Sequence, residues 1–452
     1  MAVGDKPDIK SGRLSAAQIE QNFDDLHPPL SHAEALIESD RCYFCYDAPC
    51  TTACPTGIDI PEFIRRIRSG NLKGSAKTIL SANIMGGMCA RVCPTEVLCE
   101  EACVRHTHED KPVEIGLLQR HATDPVFEQQ TPLFERAAAT GKKIAVVGGG
   151  PAGLSCAHRL ACLGHDVVIY SRDDKLGGLN EYGIAAYKTV DNFAQREVDY
   201  ILGIGGIKVK KDVALGDEFT LQQLREAYDA VFLGFGLAGV NALQLEGEKI
   251  PGVENAVDYI AHLRQADDKT QLPVGRRVVV IGGGMTAIDI AVQSRRLGAE
   301  DVTMVYRRGA EEMNASEFEQ DVAQTSGVRI RHWAQPRRII GNGFVTGVEF
   351  ERTTAGEDGK LRGTGETYKL EADVVFKAIG QHVAWDHLGG AKEKLKVEHG
   401  RIVVDPQRKT SLPEVWAGGD CVLGGDDLTV SAVEDGKVAA MAINKFLGAQ
   451  RG

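Results

Sequence analysis

Two stretches of this chain repeat one plan, and that repetition constrains the fold more than any other feature. Lys142-Lys143-Ile144-Ala145-Val146-Val147 is a short apolar run followed by the loop Gly148-Gly149-Gly150-Pro151-Ala152-Gly153. A helical apolar pattern comes next, then a second run, Asp166-Val167-Val168-Ile169-Tyr170. The order recurs at Arg277-Val278-Val279-Val280-Ile281, the loop Gly282-Gly283-Gly284-Met285-Thr286-Ala287, a helical stretch from Thr286 to Leu297, and the run Asp301–Tyr306. Continuous apolar runs of this length suit strands buried on both faces of a parallel sheet. A strand–glycine loop–helix–strand unit is one mononucleotide half of a dinucleotide-binding fold, so two α/β domains of Rossmann type are expected.

The glycine spacing carries the chemistry. The first glycine makes the turn, the second lets backbone approach a pyrophosphate at the helix N-terminus, and the third lets helix pack close to strand. Gly148, Gly150, Pro151, Ala152 and Gly153 are the candidate contacts in the first loop. Gly282, Gly284, Met285, Thr286 and Ala287 are those in the second, with alanine at the tolerated third place. Where an acidic ribose ligand is expected after the first unit's second strand, the chain has Ser171, then Asp173 and Asp174. A serine hydroxyl bonds a ribose less strongly than a carboxylate does. The second unit ends in Arg307-Arg308. Adjacent guanidiniums suit a 2′-phosphate and so NADP; the alternatives are solvated charge or pyrophosphate contact. Glu311 and Glu312 would oppose a phosphate if they faced the pocket.

Beyond the second unit, Val345–Arg352 and Gly365–Leu370 are expected as strands around a turn at Gly356–Gly359. Ala372–Ile379 follows as a strand, with Gly380 after it as a further cofactor contact. Trp416-Ala417-Gly418-Gly419-Asp420 is a strand and glycine turn ending in a carboxylate, and a helix is expected over Ser431–Phe446. Its start near Thr429 and Val430 would offer backbone amides to a flavin carbonyl, while Asp420 bonds ribityl or ribose hydroxyls.

Eight of the eleven cysteines fall between Cys42 and Cys103. They form Cys42-x2-Cys45-x4-Cys50-x3-Cys54-Pro55 and Cys89-x3-Cys93-Pro94-x4-Cys99-x3-Cys103. No apolar leader occupies Met1–Ser11, so a cytoplasmic location is expected and metal ligation fits better than disulfides. Proline directly after Cys54 and Cys93 matches the ending of bacterial ferredoxin cysteine runs. Two iron–sulfur clusters are expected, with zinc sites or buried inert thiols as alternatives. Helices are expected over Pro61–Arg68 and Leu72–Leu80 between the cysteine blocks, and a linker over Glu128–Gly141. The formal net charge of −11 gives no support to a nucleic-acid partner, and no apolar run has membrane-spanning length.

Together the cysteine block, Gly148–Gly153, Lys175-Leu176-Gly177-Gly178-Leu179 and Ala417-Gly418-Gly419-Asp420 resemble one family of iron–sulfur flavoproteins. It includes the glutamate synthase small subunit, the N-terminal half of dihydropyrimidine dehydrogenase and the bacterial PreT-type subunit. The resemblance spans nearly the whole chain. It implies a helical domain with two [4Fe-4S] clusters over residues 1–140, an FAD domain in two parts (141–255 and 385–452), and an inserted NAD(P) domain over 256–384. Gly178 and Leu179 become flavin neighbours, and Asp420 and Thr429 the C-terminal flavin contacts. It implies that Cys42, Cys45, Cys50 and Cys103 hold one cluster, and Cys54, Cys93, Cys99 and Gln119 the other, with Cys89 spare. The all-cysteine alternative keeps Cys89 as the ligand.

Two departures bear on the nucleotides: Ser171 replaces a glutamate, and Asn314 stands where NADPH-using relatives place a second arginine, Arg307 matching the first. NAD is therefore favoured over NADP. Ala185 replaces a proline beside the flavin, and an arginine typical of the glutamate synthase subunit is missing there. With Gln119, this favours an electron-input subunit passing electrons from NADH through FAD and the clusters to an FMN- and iron–sulfur-containing partner that reduces uracil or thymine. Glutamate synthesis with a different large partner and a ferredoxin-linked oxidoreductase are the alternatives. Hydride transfer depends on stacking and orientation, so no acid–base residue is expected. Lys188 is placed near the flavin or nicotinamide.

Overall fold

The computed structural model describes residues 8–449. It divides into two compact units. The larger comprises residues 27–181, 191–239 and 382 onward; the other comprises 182–190, 240–381 and the N-terminal residues to Leu26.

In the larger unit the cysteine region is helical. The helix Ile60–Arg68 starts on Asp59, whose carboxylate accepts the Glu62 N–H at 3.0 Å, with Pro61 in the first turn. Its Phe63, Ile64 and Ile67 are buried. Leu72–Ala82 is capped by Asn71 in the same way. Ile115–Gln129 carries Gln119 and extends into the expected linker. The five-stranded sheet is all parallel, in the order Val415–Ala417, Ala230–Leu233, Lys143–Val147, Asp166–Tyr170, Ile207–Lys210. One hydrophobic core runs through both parts, joining Phe63, Ile79, Met88 and Phe127 with Ile144, Leu154, Phe232 and Trp416. Phe127 meets Phe193 and Tyr200 edge-on. The cysteine region and the first nucleotide unit are therefore one folded body.

The other unit holds a second all-parallel sheet, ordered Arg329–Arg331, Asp301–Val305, Arg277–Gly282, Val374–Ala378, Val253–Asn255. An antiparallel sheet of Ala334–Gly341, Val345–Ala355 and Leu361–Glu371 accompanies it. The chain before the cysteines also contributes here: Ile9–Lys10 pairs with Val274–Gly275. Among the described residues no helix is long and apolar enough to cross a membrane.

Candidate cofactor sites

At one edge of the first sheet, Val147, Tyr170, Leu233 and Ala417 end side by side. Gly148 N–H donates to Tyr170 O at 2.8 Å, Gly234 N–H to Val147 O at 2.8 Å, and Gly418 N–H to Leu233 O at 3.1 Å. The glycine loop, Ser171 and the Gly419–Asp420 turn thus share the carboxyl edge of the sheet, where open α/β sheets bind ligands. Gly148 has φ +109°, and a Cβ there would stand 2.2 Å from Gly234 O. Gly150 is different: a Cβ would meet only Gly178 Cα, at 3.8 Å. The helix Pro151–Cys162 begins at Gly150 with no side-chain cap, which leaves the amides of Ala152 and Gly153 for an anion.

Ser171 is buried, and its hydroxyl accepts the Asp173 N–H at 3.3 Å. Burial, with Asp427 adding like charge, pushes the Asp420 carboxyl up to about 6. Thr429 starts the 21-residue C-terminal helix Thr429–Ala449, and its hydroxyl donates to Asn180 Oδ1 at 2.6 Å. With that hydroxyl engaged, the backbone of Val430 and the helix start are what the segment offers a ligand. Leu179 is 38% exposed beside Gly178. The uncapped loop amides, the buried carboxylate and the start of the C-terminal helix fit a dinucleotide such as FAD.

The second loop has the same logic. A Cβ on Gly282 would stand 2.1 Å from Ala378 O, whereas one on Gly284 would meet only Asn314 Cβ, at 4.0 Å. Met285, Thr286 and Ala287 open the helix Met285–Arg296, again with no side-chain cap. Gly380 has φ +90°, and its carbonyl accepts the Asn241 N–H at 3.1 Å. Arg307 is exposed and Arg308 half-buried, and neither guanidinium has a hydrogen bond or ion pair among the described residues. The Glu312 carboxylate is turned to the Gly309 N–H at 2.9 Å. A nicotinamide nucleotide fits, and the two guanidiniums are available to its phosphates.

Cys42, Cys45, Cys50 and Cys103 line one cavity with Pro49, Pro61, Val104 and Val113. Burial pushes the Cys50 thiol up to about 12, with the neighbouring Cys103 and Cys42 thiols adding to it. Cys93 and Cys99 are raised well above a free thiol, first by burial; neighbouring thiols come next for Cys93 and the Glu100 carboxylate for Cys99, and Cys54 adds to both. Thiols this hard to ionise become ligands only when a cation replaces the proton. Gln119 is buried, and its amide nitrogen donates to Gly86 O at 2.6 Å, so Oε1 is the atom it could offer a cluster. Cys89 is buried beside Asn83. Among the described residues no three His, Cys, Asp or Glu side chains converge on one ion-sized point. The four thiols instead surround a cavity, a donor set that suits a multi-iron cluster.

Some supporting residues carry no sequence signal. Asp435, buried in the C-terminal helix, accepts the Gly419 N–H at 2.8 Å and pairs with Arg408 at 2.6 Å, so it holds the Asp420 turn. Glu197 accepts the N–H groups of Gly87 and Met88, both at 3.0 Å. Burial pushes its carboxyl up to about 8, against those bonds and Arg91. Lys188 is buried, its ammonium paired with Asp289 at 2.8 Å and Glu319 at 2.7 Å. That amine is committed to two carboxylates.

Comparison with known proteins agrees with this layout. Residues 142–436 match the pyridine nucleotide-disulphide oxidoreductase family, and residues 19–131 match the dihydropyrimidine dehydrogenase domain II, 4Fe-4S cluster family. The chain is 37% identical over 431 residues to the NAD-dependent dihydropyrimidine dehydrogenase subunit PreT of Salmonella typhimurium, covering 95% of this chain and 98% of that protein. It is 34% identical to the glutamate synthase [NADPH] small chain of Escherichia coli, covering 94% of each. In fold it resembles T. acidophilum thioredoxin reductase, with TM-score 0.54, 23% identity and coverage of 68% of this chain and 99% of that one. Mycobacterium tuberculosis FprA in complex with NADPH is similar, with TM-score 0.58, 20% identity and coverage of 69% and 85%. With both nucleotide loops intact on their sheet edges, the chain belongs to the pyridine nucleotide-disulphide oxidoreductase family, is homologous to PreT-type and glutamate synthase small subunits, and is an oxidoreductase.

Proposed function

We propose that this chain is the electron-input subunit of an NAD-dependent dihydropyrimidine dehydrogenase. It takes reducing equivalents from NADH in the cytoplasm and delivers them to a partner subunit with FMN and iron–sulfur clusters, which reduces uracil or thymine. The observation that carries this reading is the 37% identity to a subunit of that enzyme, running nearly end to end in both chains. When bound, FAD converts two-electron hydride chemistry to one-electron transfer, and two [4Fe-4S] clusters relay the electrons.

The chain's own residues bind and orient. Gly150 and the amides after it receive the FAD pyrophosphate, Asp420 its hydroxyls, and the start of the C-terminal helix the flavin ring. Gly284 and the helix start at Met285 receive the nicotinamide nucleotide. Cys42, Cys45, Cys50 and Cys103 are assigned to one cluster, and Cys54, Cys93, Cys99 and Gln119 to the other. The shared core of cysteine region and flavin unit supports a fixed path from one to the other.

The test is anaerobic reconstitution with the partner subunit, following NADH and NADPH oxidation with uracil as acceptor. Uracil-dependent turnover that needs both subunits is expected. Rapid flavin bleaching by nucleotide without uracil turnover would overturn the pyrimidine reading. The similarity to the glutamate synthase small chain then makes glutamate formation from glutamine and 2-oxoglutarate the next assay.

A further inference from the structure

Trp333 has a backbone φ of +56°, in the left-handed region that a bulky side chain rarely adopts. It stands where the chain leaves the strand Arg329–Arg331 and enters Ala334–Gly341. Its conformation is held from both sides. Trp333 N–H donates to Arg308 O at 3.1 Å, and Thr353 N–H donates to Trp333 O at 2.9 Å. Ala334 N–H donates to Tyr306 O at 3.1 Å, and the Thr353 hydroxyl donates to Arg307 O at 2.7 Å. The segment Tyr306–Arg308 is thus tied residue by residue to the crossing at Trp333. The indole lies against Gly309, where a Cβ would stand 3.2 Å from its Cζ2, and it remains half-exposed. The adjacent His332 keeps a buried Nε2 with no hydrogen-bond partner among the described residues. Glycine or asparagine would make such a turn with little strain. Strain of this kind persists where it places a side chain for use.

We propose that the Trp333 indole is the aromatic wall of the adenosine end of the nicotinamide-nucleotide pocket, stacking adenine, with Arg307 and Arg308 available to the phosphates of the nucleotide. The proposal rests on the reading that the Gly282–Ala287 loop binds a nicotinamide nucleotide. In a β-α-β nucleotide unit the adenosine ribose lies at the end of the second strand. That strand here is Asp301–Val305, and Trp333 is bonded to the residues that follow it. A half-exposed indole supplies the π-surface that adenine takes, and Arg307 and Arg308, whose backbone is bonded to this segment, supply positive charge, while the Glu311 and Glu312 carboxylates lie with the indole around Gly309.

The site can be read without turnover. Of the three tryptophans Trp333 alone belongs to this unit, Trp385 and Trp416 lying in the other, and loss of the response in Trp333→Phe assigns the signal. The holoenzyme is titrated with 5′-AMP, adenosine 2′,5′-bisphosphate and NAD, following tryptophan fluorescence and calorimetric Kd. Trp333→Gly suits the left-handed backbone while deleting the indole; Trp333→Phe keeps an aromatic face. Quenching in the wild type is expected to vanish in both variants. Trp333→Gly should weaken 5′-AMP binding about tenfold, and Trp333→Phe much less, because base–aromatic stacking needs only the face. Flavin content should match the wild type in both. Wild-type affinity in Trp333→Gly would overturn the proposal alone. A wild-type protein that binds none of the three would overturn the nucleotide reading as well.

Discussion

The two glycine loops are alike in their turns and different in what surrounds them. In both, the first glycine is locked by a carbonyl of the neighbouring strand segment, Gly234 O in one case and Ala378 O in the other. In both, a Cβ on the second glycine would meet a single atom, at 3.8 Å or 4.0 Å. The flanks then diverge. After the first loop, Ser171 is buried and engaged locally, Asp420 is a buried carboxylate, and the C-terminal helix closes the edge. After the second, the Arg307 and Arg308 guanidiniums make no hydrogen bond or ion pair among the described residues. One motif therefore makes two cradles for pyrophosphate. On the proposed function, the first flank holds FAD and the second the nicotinamide nucleotide.

The largest test of that equivalence is Gly148→Ala. Its φ of +109° and the 2.2 Å approach to Gly234 O leave no room for a methyl. Positive φ alone costs an alanine about 1–2 kcal/mol, and the clash adds to it. Soluble protein is expected with flavin content, read at 450 nm, down to roughly a tenth of wild type. Retained flavin would show that the turn is adaptable.

A subtler pair separates the tenants. Gly150→Ala and Gly284→Ala each add a methyl with no protein neighbour closer than 3.8 Å, so thermal stability should hold. Gly150→Ala is expected to release flavin while NAD binding stays, and Gly284→Ala to weaken NAD binding about tenfold while flavin stays. Loss of both ligands in either variant would break the assignment.

The third test concerns the body that the first loop shares with the cysteine region. The carboxyl of Glu197 is raised to about 8 from an ordinary 4.5. The folded protein therefore holds a proton that the unfolded chain gives up above about 4.5. This contribution to stability is full below that pH and is lost as pH rises through about 8. Glu197→Gln should flatten the decline of the melting temperature between pH 5 and 8.5. An unchanged slope would remove Glu197 from the account.

The smallest effect is expected from Ser171→Glu. A carboxylate at the end of the strand Asp166–Tyr170 supplies the stronger ribose ligand. FAD should dissociate several-fold more slowly in dilution, with NAD affinity unchanged. Faster loss would mean that the Asp173 N–H bond to Ser171 matters more than the ribose.

Much of the architecture was legible in the residues. The strands Lys143–Val147, Arg277–Gly282 and Val415–Ala417 lie where apolar runs placed them. The helices Ile60–Arg68 and Leu72–Ala82 lie where caps and spacing placed them. Grouping Cys42, Cys45 and Cys50 with the distant Cys103 came from family resemblance, and these four do line one cavity. What local pattern could not give is who faces whom across long separations. Lys188 lies on a short segment, yet it is buried between Asp289 and Glu319, more than a hundred residues away.

The sequence by itself determined two glycine loops, a cysteine-rich helical region and a C-terminal glycine–aspartate turn, because strand length, glycine spacing and capping act within a few residues. Tertiary structure decided that the cysteine region and the first nucleotide unit share one core, that Asp435 and Glu197 anchor backbone amides, and that Trp333 is held in a strained conformation by bonds to the segment of Arg307 and Arg308. Those are matters of burial and long-range pairing, and they exist only once the chain has closed on itself.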